Sequence, residues 1–180
     1  MNLLFTEDRK VYQTDGLFVY NVLNTYSNRI AAFDLDNTII STRSNKIFAK
    51  DKNDWKLKYT NTRKILNELY QTNYSIIIIT NQNGIGSHIS LQDFIDKCEN
   101  IMQTLDIPIT FYISLKKKGN KYRKPNIGIF ELHKKTHKID IDNSFYVGDA
   151  WCKKECWSDS DFQFAKNCNI KFIKDTDFFE

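Results

Sequence analysis

Two aspartates close the first predicted central strand of the chain. Asp34 and Asp36 stand in the run FDLDNT, directly after Ile30–Ala32. In an extended segment, residues two apart face the same side, so both carboxylates point into one crevice while Leu35 points away. A pair of acids can divide the work of group transfer, because one can attack or bind a metal while the other moves protons. A polar turn that ends a strand is the alternative explanation, and this run alone leaves the two even.

Three later apolar stretches also end in residues that suit phosphate chemistry. Ser75–Ile79 is followed by Thr80 and Asn81, where a hydroxyl and nearby backbone amides can hold phosphate oxygens. Lys124 precedes a predicted helix and can neutralise phosphate charge. Asp149 follows a further strand, and its carboxylate suits Mg²⁺, which takes oxygen ligands. Each of these has an ordinary alternative as a turn or a solvated loop, but four such ends in succession favour one shared site.

The elements that must position these residues alternate along the chain. Short apolar runs predict strands and the amphipathic stretches between them predict helices. The strands are predicted over Ile30–Asp34, Ser75–Thr80, Ile109–Ile113, Ser144–Val147 and Ile170–Ile173, and the helices over Asn61–Gln71, Ser90–Asp106, Asn126–His137 and Asp161–Asn167. This pattern predicts an α/β fold, a doubly wound (Rossmann-like) parallel sheet with helices on both faces. In such folds the site lies at the carboxyl ends of the strands.

Residues 37–59 separate the first predicted strand, which ends at the two aspartates, from the first predicted helix. A simple connection of this kind has about 2–6 residues, so this one is too long. We interpret it as a small flap insertion, a hairpin over the site. With 180 residues, the chain is predicted to form a single domain over residues 1–180 that includes this flap.

Composition excludes several classes of protein. Apolar residues make up 41% of the chain and the net charge is +4, which favours a packed core over disorder. No apolar run approaches the ~20 residues that cross a bilayer. Met1–Lys10 lacks the apolar region of a secretory signal. We therefore expect an intracellular protein, nuclear or cytoplasmic, that is not secreted and does not bind a membrane.

The cysteines and histidines carry weaker signals. Cys152 and Cys156 are four residues apart and could share a metal, but the chain has no CxxC pair, which favours reduced thiols. His133 and His137 are also four apart, and we expect them on a solvated helix face rather than at a metal.

The order of motifs resembles that of haloacid dehalogenase superfamily phosphatases, with DLDNT, then TNQ, then RKP, then VGDA. Longer segments narrow the resemblance to the phosphatase domain of the polynucleotide kinase/3′-phosphatase family, and they extend over nearly the whole chain. They are AAFDLDNTIISTRS, DWKLKY, ITNQNGIG, YRKPNIGIF, FYVGDA and SDSDFQFAKN. The sequence has no GxxxxGK[ST] phosphate loop, so we expect no kinase domain.

The resemblance implies a role for each residue of the first catalytic motif. Asp34 would be the nucleophile that forms an aspartyl-phosphate. Asp36 would protonate the leaving oxygen and then activate the water that breaks this intermediate. Asn37 stands where the family usually has Gly, and since Asn tolerates unusual backbone angles we expect little damage.

The later motifs supply the remaining groups that the resemblance implies. Thr80 and Asn81 would bind the phosphate oxygens, and Lys124 would clamp the phosphate and orient the nucleophile. Asp149 would complete a Mg²⁺ site with the side chain of Asp34 and the backbone carbonyl of Asp36. Asp161 in SDSD matches a further acid of the family and would support the site.

A basic segment leads into Lys124. Clusters of this kind bind the phosphate backbone without reading sequence, and aromatic side chains can stack on bases. For Trp55, packing inside the flap is an equal alternative. The candidate nucleic-acid contacts are Arg43, Lys46, Trp55, Lys116, Lys117, Lys118, Lys121 and Arg123.

The resemblance implies a Mg²⁺-dependent polynucleotide 3′-phosphatase. It would act as a monomer on DNA with 3′-phosphate ends, with RNA as a further substrate, in strand-break repair. Two alternatives stay open: a small-molecule (sugar or amino-alcohol) phosphatase of the same superfamily, and a catalytically weak module that binds nucleic-acid ends.

Overall fold

A computed structural model of the chain describes residues 2–6, 9–21, 27–115 and 119–180. Within these ranges an eight-stranded mixed sheet lies beside a two-stranded hairpin. The strands are β1 (Asn2–Thr6), β2 (Arg9–Thr14), β3 (Leu17–Asn21), β4 (Ile30–Phe33), β5 (Ile40–Ser41), β6 (Lys56–Leu57), β7 (Ser75–Asn81), β8 (Thr110–Ser114), β9 (Phe145–Gly148) and β10 (Lys171–Lys174). The helices are α1 (Thr62–Gln71), α2 (Leu91–Leu105), α3 (Gly128–Thr136), α4 (Ser160–Cys168) and α5 (Asp175–Phe179).

The sheet has the order β1-β2-β3-β8-β7-β4-β9-β10. The five strands from β8 to β10 in this order are parallel and correspond to the five predicted strands. No strand is predicted before residue 30, but β3 pairs antiparallel with β8, and β2 and β1 follow it antiparallel. The sheet is therefore mixed rather than wholly parallel, while the doubly wound parallel core is confirmed.

Helices cover both faces of this parallel core. The four isoleucines of β7 alternate between the faces: Ile76 and Ile78 pack with α1 and α2, and Ile77 and Ile79 pack with α3 and α4. All four are buried, and each contributes roughly 1.5–3 kcal/mol relative to an exposed side chain. The apolar run predicted as the strongest strand is thus apolar because both of its sides are covered.

Helix α2 begins where the sequence predicts. The hydroxyl of Ser90 accepts the backbone N–H of Asp93 at 3.0 Å and donates to its carboxylate at 2.8 Å. This N-cap satisfies a donor that the first helical turn leaves free. The inner face of α2 buries Phe94, Cys98 and Ile101, which fixes the helix against the sheet.

The predicted flap is a small hairpin in which β5 and β6 pair antiparallel. Within the flap, the Asp54 carboxylate accepts hydrogen bonds from the backbone N–H groups of Ser44 at 2.8 Å and Lys50 at 2.9 Å. Lys52 extends from the flap to Asp96 of α2, 2.7 Å away. The flap is therefore an ordered element tied to α2.

The expectation for His133 was wrong. His133 is buried, not solvated, and its Nδ1 lies 2.8 Å from the hydroxyl of Tyr112. Its ring stacks on that of His137 at a centroid distance of 4.5 Å. The four cysteines are free thiols. Among the described helices, none is both long and apolar enough to cross a bilayer.

Candidate active site

The ends of three neighbouring strands bring the predicted site residues together. Asp34 follows β4, Thr80 and Asn81 end β7, and Asp149 follows β9. Because β7, β4 and β9 are adjacent and parallel, their carboxyl ends meet at one edge of the sheet. The backbone N–H of Asp34 donates to Val147 O at 2.9 Å, so the first catalytic loop is anchored directly to β9.

A tight turn follows Asp34. The N–H groups of Ile39 and Ile40 donate to the carbonyl of Leu35 at 3.0 and 3.1 Å, and Asn37 N–H donates to Ile40 O at 2.7 Å. Asn37 has a φ of 58°, in the left-handed region that Asn enters more readily than most residues. Asn is therefore well suited to this position in the turn.

Lys124 lies at the centre of the buried polar network. Its Nζ donates to Asp34 Oδ1 at 2.5 Å, to Asp161 Oδ1 at 2.7 Å and to the Tyr146 hydroxyl at 2.7 Å. Burial alone would lower the pKa of this ammonium, but the carboxylates of Asp161 and Asp34 raise it overall. Lys124 is therefore a fixed positive charge beside the predicted nucleophile.

Asp161 is the second carboxylate that holds Lys124. Its Oδ1 also accepts the Tyr146 hydroxyl at 3.2 Å, and its Oδ2 accepts the Ala150 N–H at 3.1 Å. This arrangement needs a residue without a side chain at Gly148, where a Cβ would lie 2.5 Å from Asp161 Oδ2. The resemblance implies that Asp161 supports the site, and in the structure its carboxylate contacts Lys124, Tyr146 and the backbone of Ala150.

Three carboxylates are close enough to hold a metal ion. One oxygen from each of Asp34, Asp149 and Asp161 lies within 4.8 Å of the others. Burial, followed by the charge of Asp161, raises the pKa of Asp149 to about 6. Burial also raises the pKa of Asp34 well above its usual value, although Lys124 opposes this. Such crowded oxygen ligands fit a hard divalent cation, which would relieve their repulsion.

The side chain of Asp36 is held outside this cluster. Gln82 Nε2 donates to Asp36 Oδ2 at 2.6 Å and to the Thr80 hydroxyl at 2.8 Å. Lys97 Nζ lies 3.8 Å from Asp36 Oδ1. Gln82 and Lys97 were not singled out from the sequence, although Gln82 stands in the quoted TNQ motif. Lys97 had its own signal, since it is a lysine placed among the apolar residues of α2.

Asn81 joins two of the predicted motifs. Its Oδ1 accepts the backbone N–H of Lys124 at 3.1 Å, and its Nδ2 donates to the Lys124 carbonyl at 3.2 Å. These two bonds resemble the pairing between neighbouring strands. Asn81 therefore fixes the backbone that carries the central lysine, a contact that the sequence-based prediction of phosphate binding did not include.

The described residues among the predicted nucleic-acid contacts lie on the flap and in the segment that leads into Lys124. Arg43 and Lys46 are exposed on the flap, and Arg43 Nε donates to Trp55 O at 2.6 Å. Trp55 is 9% exposed and packs against the core, which favours the packing alternative. Arg123 donates to Asn83 Oδ1 at 2.7 Å, and Lys121 is exposed. Lys116, Lys117 and Lys118 lie outside the described residues.

The architecture is that of a haloacid dehalogenase-like phosphatase. A putative phosphatase of this type from Mesorhizobium loti has a TM-score of 0.72 and 17% identity, over 88% of this chain and 78% of that one. The D,D-heptose 1,7-bisphosphate phosphatase from B. bronchiseptica, solved with magnesium and phosphate, has a TM-score of 0.64 and 16% identity, over 80% of this chain and 78% of that one. At these identities the likeness defines the fold.

Sequence similarity narrows this class to one family. The sequence model of the polynucleotide kinase 3 phosphatase family matches residues 29–179. The chain belongs to this family of phosphomonoester hydrolases.

Three relatives differ in how much of their length is matched. A bifunctional polynucleotide phosphatase/kinase from Schizosaccharomyces pombe is 39% identical over 92% of this chain and 41% of its own length. An uncharacterised 20.8 kDa protein of Autographa californica nuclear polyhedrosis virus is 37% identical over 93% of this chain and 95% of its own. A polynucleotide 3′-phosphatase from Arabidopsis thaliana is 34% identical over 85% of this chain and 24% of its own length. The chain thus spans less than half of two of these relatives and nearly all of the viral one.

Proposed function

We propose that the chain is a Mg²⁺-dependent polynucleotide 3′-phosphatase that removes the terminal phosphate from DNA ends. The observation that carries this proposal is the contact of the Lys124 ammonium with Asp34 Oδ1, next to Asp149 and two residues from the separately held Asp36. The polynucleotide substrate is supported by the names of the Schizosaccharomyces pombe and Arabidopsis thaliana relatives.

The two aspartates would share the reaction. Asp34 attacks phosphorus, so that an Asp34–phosphorus bond forms as the bond to the 3′-oxygen breaks. The carboxylic acid of Asp36 gives its proton to the departing 3′-oxygen. A water then loses a proton to the Asp36 carboxylate and attacks phosphorus, which releases inorganic phosphate and restores Asp34.

The surrounding groups would overcome the repulsion between a carboxylate and a dianionic phosphate. Lys124 offers a fixed positive charge in a buried site, where electrostatic interactions are stronger than in water. Asp161 and Tyr146 hold that ammonium in place. These groups orient the nucleophile before the substrate arrives.

Mg²⁺ would be held by the carboxylates of Asp34 and Asp149 and by the backbone carbonyl of Asp36. When bound, it would neutralise phosphate charge and lower the pKa of the buried carboxylates. Asp161 is a poorer ligand, because its two oxygens already accept hydrogen bonds from Lys124, Tyr146 and Ala150. The chemistry of the donors fits the ion, since all are oxygens.

The product would be a free 3′-hydroxyl, the group that polymerases and ligases use. We propose that the reaction serves strand-break repair, upstream of the steps that extend or join the end. We propose that the exposed Arg43, Lys46 and Lys121, together with Arg123, contact the phosphate backbone near that end.

Phosphate release tests this proposal. A DNA oligonucleotide with a 3′-phosphate, a matched 5′-phosphate oligonucleotide and p-nitrophenyl phosphate are compared with Mg²⁺ and with EDTA, and Asp34→Asn serves as the blank. The expected result is Mg²⁺-dependent loss of the 3′-phosphate and not of the 5′-phosphate, together with hydrolysis of the aryl phosphate, whose leaving group is activated; all activity is absent in the variant. Hydrolysis of the aryl phosphate without either DNA end contradicts it in favour of a small-molecule phosphatase. DNA affinity without turnover contradicts it in favour of an end-binding module.

A further inference from the structure

Lys97 is a buried cation beside an exposed acid. Its side chain is 5% exposed, while that of Asp36 is 53% exposed. Lysine is rarely buried unless its charge is paired, because removing an ammonium group from water is costly. The carboxylate that it reaches is Asp36, with 3.8 Å between Nζ and Oδ1.

The position of Lys97 on α2 makes this contact rigid. Phe94 and Cys98, its neighbours on the inner face, are buried in the core, and the ammonium lies 5.7 Å from the centroid of the Phe94 ring. A lysine whose stem is packed in this way has few alternative rotamers. Its ammonium group is therefore held at one position, beside Asp36, whereas the ammonium group of a surface lysine usually samples many positions.

Asp36 needs such a support more than Asp34 does. Asp34 is buried and held by Lys124, whereas the Asp36 carboxylate faces solvent on one side. Gln82 binds its Oδ2 at 2.6 Å, and Lys97 approaches its Oδ1. One contact at each oxygen restricts rotation of the carboxylate, and precise orientation of an acid is what proton transfer requires.

We propose that Lys97 is a positioning residue that orients Asp36 toward the leaving oxygen. This inference rests on the proposed function, since it assigns Lys97 to the proton-transfer half of that reaction. Lys97 itself gives up no proton. The Asp36 carboxylic acid gives its proton to the oxygen whose bond to phosphorus breaks, and the Asp36 carboxylate later takes one from the attacking water.

The leaving group distinguishes positioning from a general structural role. A 3′-oxygen leaves as a strong base and needs the proton of Asp36, whereas p-nitrophenolate is a weak base and leaves without it. A misoriented Asp36 should therefore slow the first step only for the nucleotide substrate. A misfolded or loosened site should slow that step for both substrates alike.

Rapid-mixing kinetics on Lys97→Met, Lys97→Arg and Lys64→Met make this comparison. Lys64→Met is the matched control, because Lys64 is exposed on α1. In Lys97→Met we expect the rate constant for single-turnover cleavage of a 3′-phosphate oligonucleotide to fall by roughly 10- to 100-fold. This is smaller than the full contribution of a general acid, because Asp36 is still present but no longer well oriented. The rate constant of the nitrophenolate burst from p-nitrophenyl phosphate should change less than about threefold, because this leaving group does not need the proton of Asp36. The KM for the oligonucleotide should change less than about twofold, because Lys97 is not proposed to bind substrate. Lys97→Arg should recover part of the lost rate, and Lys64→Met should match the parent protein.

Two results would overturn the inference: an equal loss on both substrates, or a raised KM with an unchanged rate constant. The latter would show that Lys97 binds the substrate instead.

Crystal structures of the parent and Lys97→Met supply a readout that does not need turnover. The Asp36 carboxylate should rotate away from Gln82 while the Lys124–Asp34 contact persists, and an unmoved Asp36 contradicts the proposal. If the parent protein does not cleave 3′-phosphates, the proposed function fails, and the structures still decide the role of Lys97.

Discussion

The Nζ of Lys124 lies 2.5 Å from Oδ1 of Asp34, although the two residues are separated by 90 positions in the chain. The contact exists because Lys124 follows β8 and Asp34 follows β4, so that two parallel strands deliver their loops to the same edge of the sheet. A buried ammonium beside two aspartates contributes both to stability and to reactivity. It offsets buried negative charge, and it also leaves the nucleophile paired and oriented.

Replacing Lys124 by Met should impair both properties. Phosphate release is expected to fall by more than about 10²-fold, because a fixed charge at the reacting group is lost. The free energy of unfolding should fall by roughly 3 kcal/mol, since Asp161 loses its charged partner in a buried site. Denaturant unfolding and phosphate release measure the two effects. Lys135→Met, on the exposed side of α3, should change neither, and a fully active Lys124→Met enzyme would refute the role given to this lysine.

Gly148→Ala should displace Asp161. The added methyl group would lie 2.5 Å from Asp161 Oδ2, well inside van der Waals contact. We expect a loss of about 1–3 kcal/mol in stability, as for overpacked sites, and at least a tenfold loss of activity as Lys124 loses its support. Gly84→Ala is the matched control, because its methyl group would lie 3.6 Å from the nearest side-chain atom. Equal behaviour of the two variants would contradict this account of Gly148.

Magnesium should stabilise the protein in the absence of substrate. At a concentration 100 times the dissociation constant, a bound ion adds about 2.7 kcal/mol, or about 5–10 °C in the unfolding midpoint of a chain of this size. Asp149→Asn should abolish this rise. It should also raise the midpoint of the metal-free protein at neutral pH, because burial and Asp161 disfavour the charged form of Asp149. Asp51→Asn, on the exposed part of the flap, should keep the response, and a metal-induced rise that survives Asp149→Asn would rule out this ligand set.

His133 should make stability fall in mild acid. Burial, followed by the charge of His137, lowers the pKa of folded His133 to about 3, from an ordinary value of 6.5. Between these values the unfolded chain binds a proton at this residue and the folded chain does not. Its contribution to stability is therefore complete above pH 6.5 and is lost as the pH falls, by up to about 1.4 kcal/mol per pH unit.

Denaturant unfolding from pH 7 to pH 4 measures this slope. His133→Gln should flatten the decline relative to the parent protein, while His88→Gln, in an exposed loop, should leave it unchanged. A decline of the same steepness in His133→Gln would place its cause in other groups.

The sequence predicted the parallel core because β4 and β7 are apolar on both sides and end in polar residues. It did not predict β3, although Leu17–Tyr20 is buried. Its pairing partner is β8, almost a hundred residues further on, and no local periodicity reports such a partner. His133 was misplaced for a related reason, since its burial depends on contact with Tyr112 of β8.

In the site, too, some residues could be predicted from the sequence and others could not. The principal acids were predicted because they follow strands, Lys124 because it precedes a helix, and all of them because they occur in motifs of fixed order. Gln82 and Lys97 were missed because their role depends on side-chain geometry. The apolar residues at helical spacing from Lys97, such as Phe94 and Ile101, indicate that this lysine faces the core, but they do not indicate what it contacts. Only the packing of α2 against the sheet shows that its ammonium group reaches Asp36.

Strand β10 ends the described sheet, and its sequence carries a consequence for the protein at high concentration. The strand begins with Lys171 and ends with Lys174, whose ammonium lies 3.6 Å from the centroid of the Trp151 ring. A terminal strand presents backbone N–H and C=O groups that can template pairing with another chain. Two copies aligned along β10 would bring lysines of like charge together. The edge therefore carries its own protection against self-association and aggregation, independently of the catalytic residues.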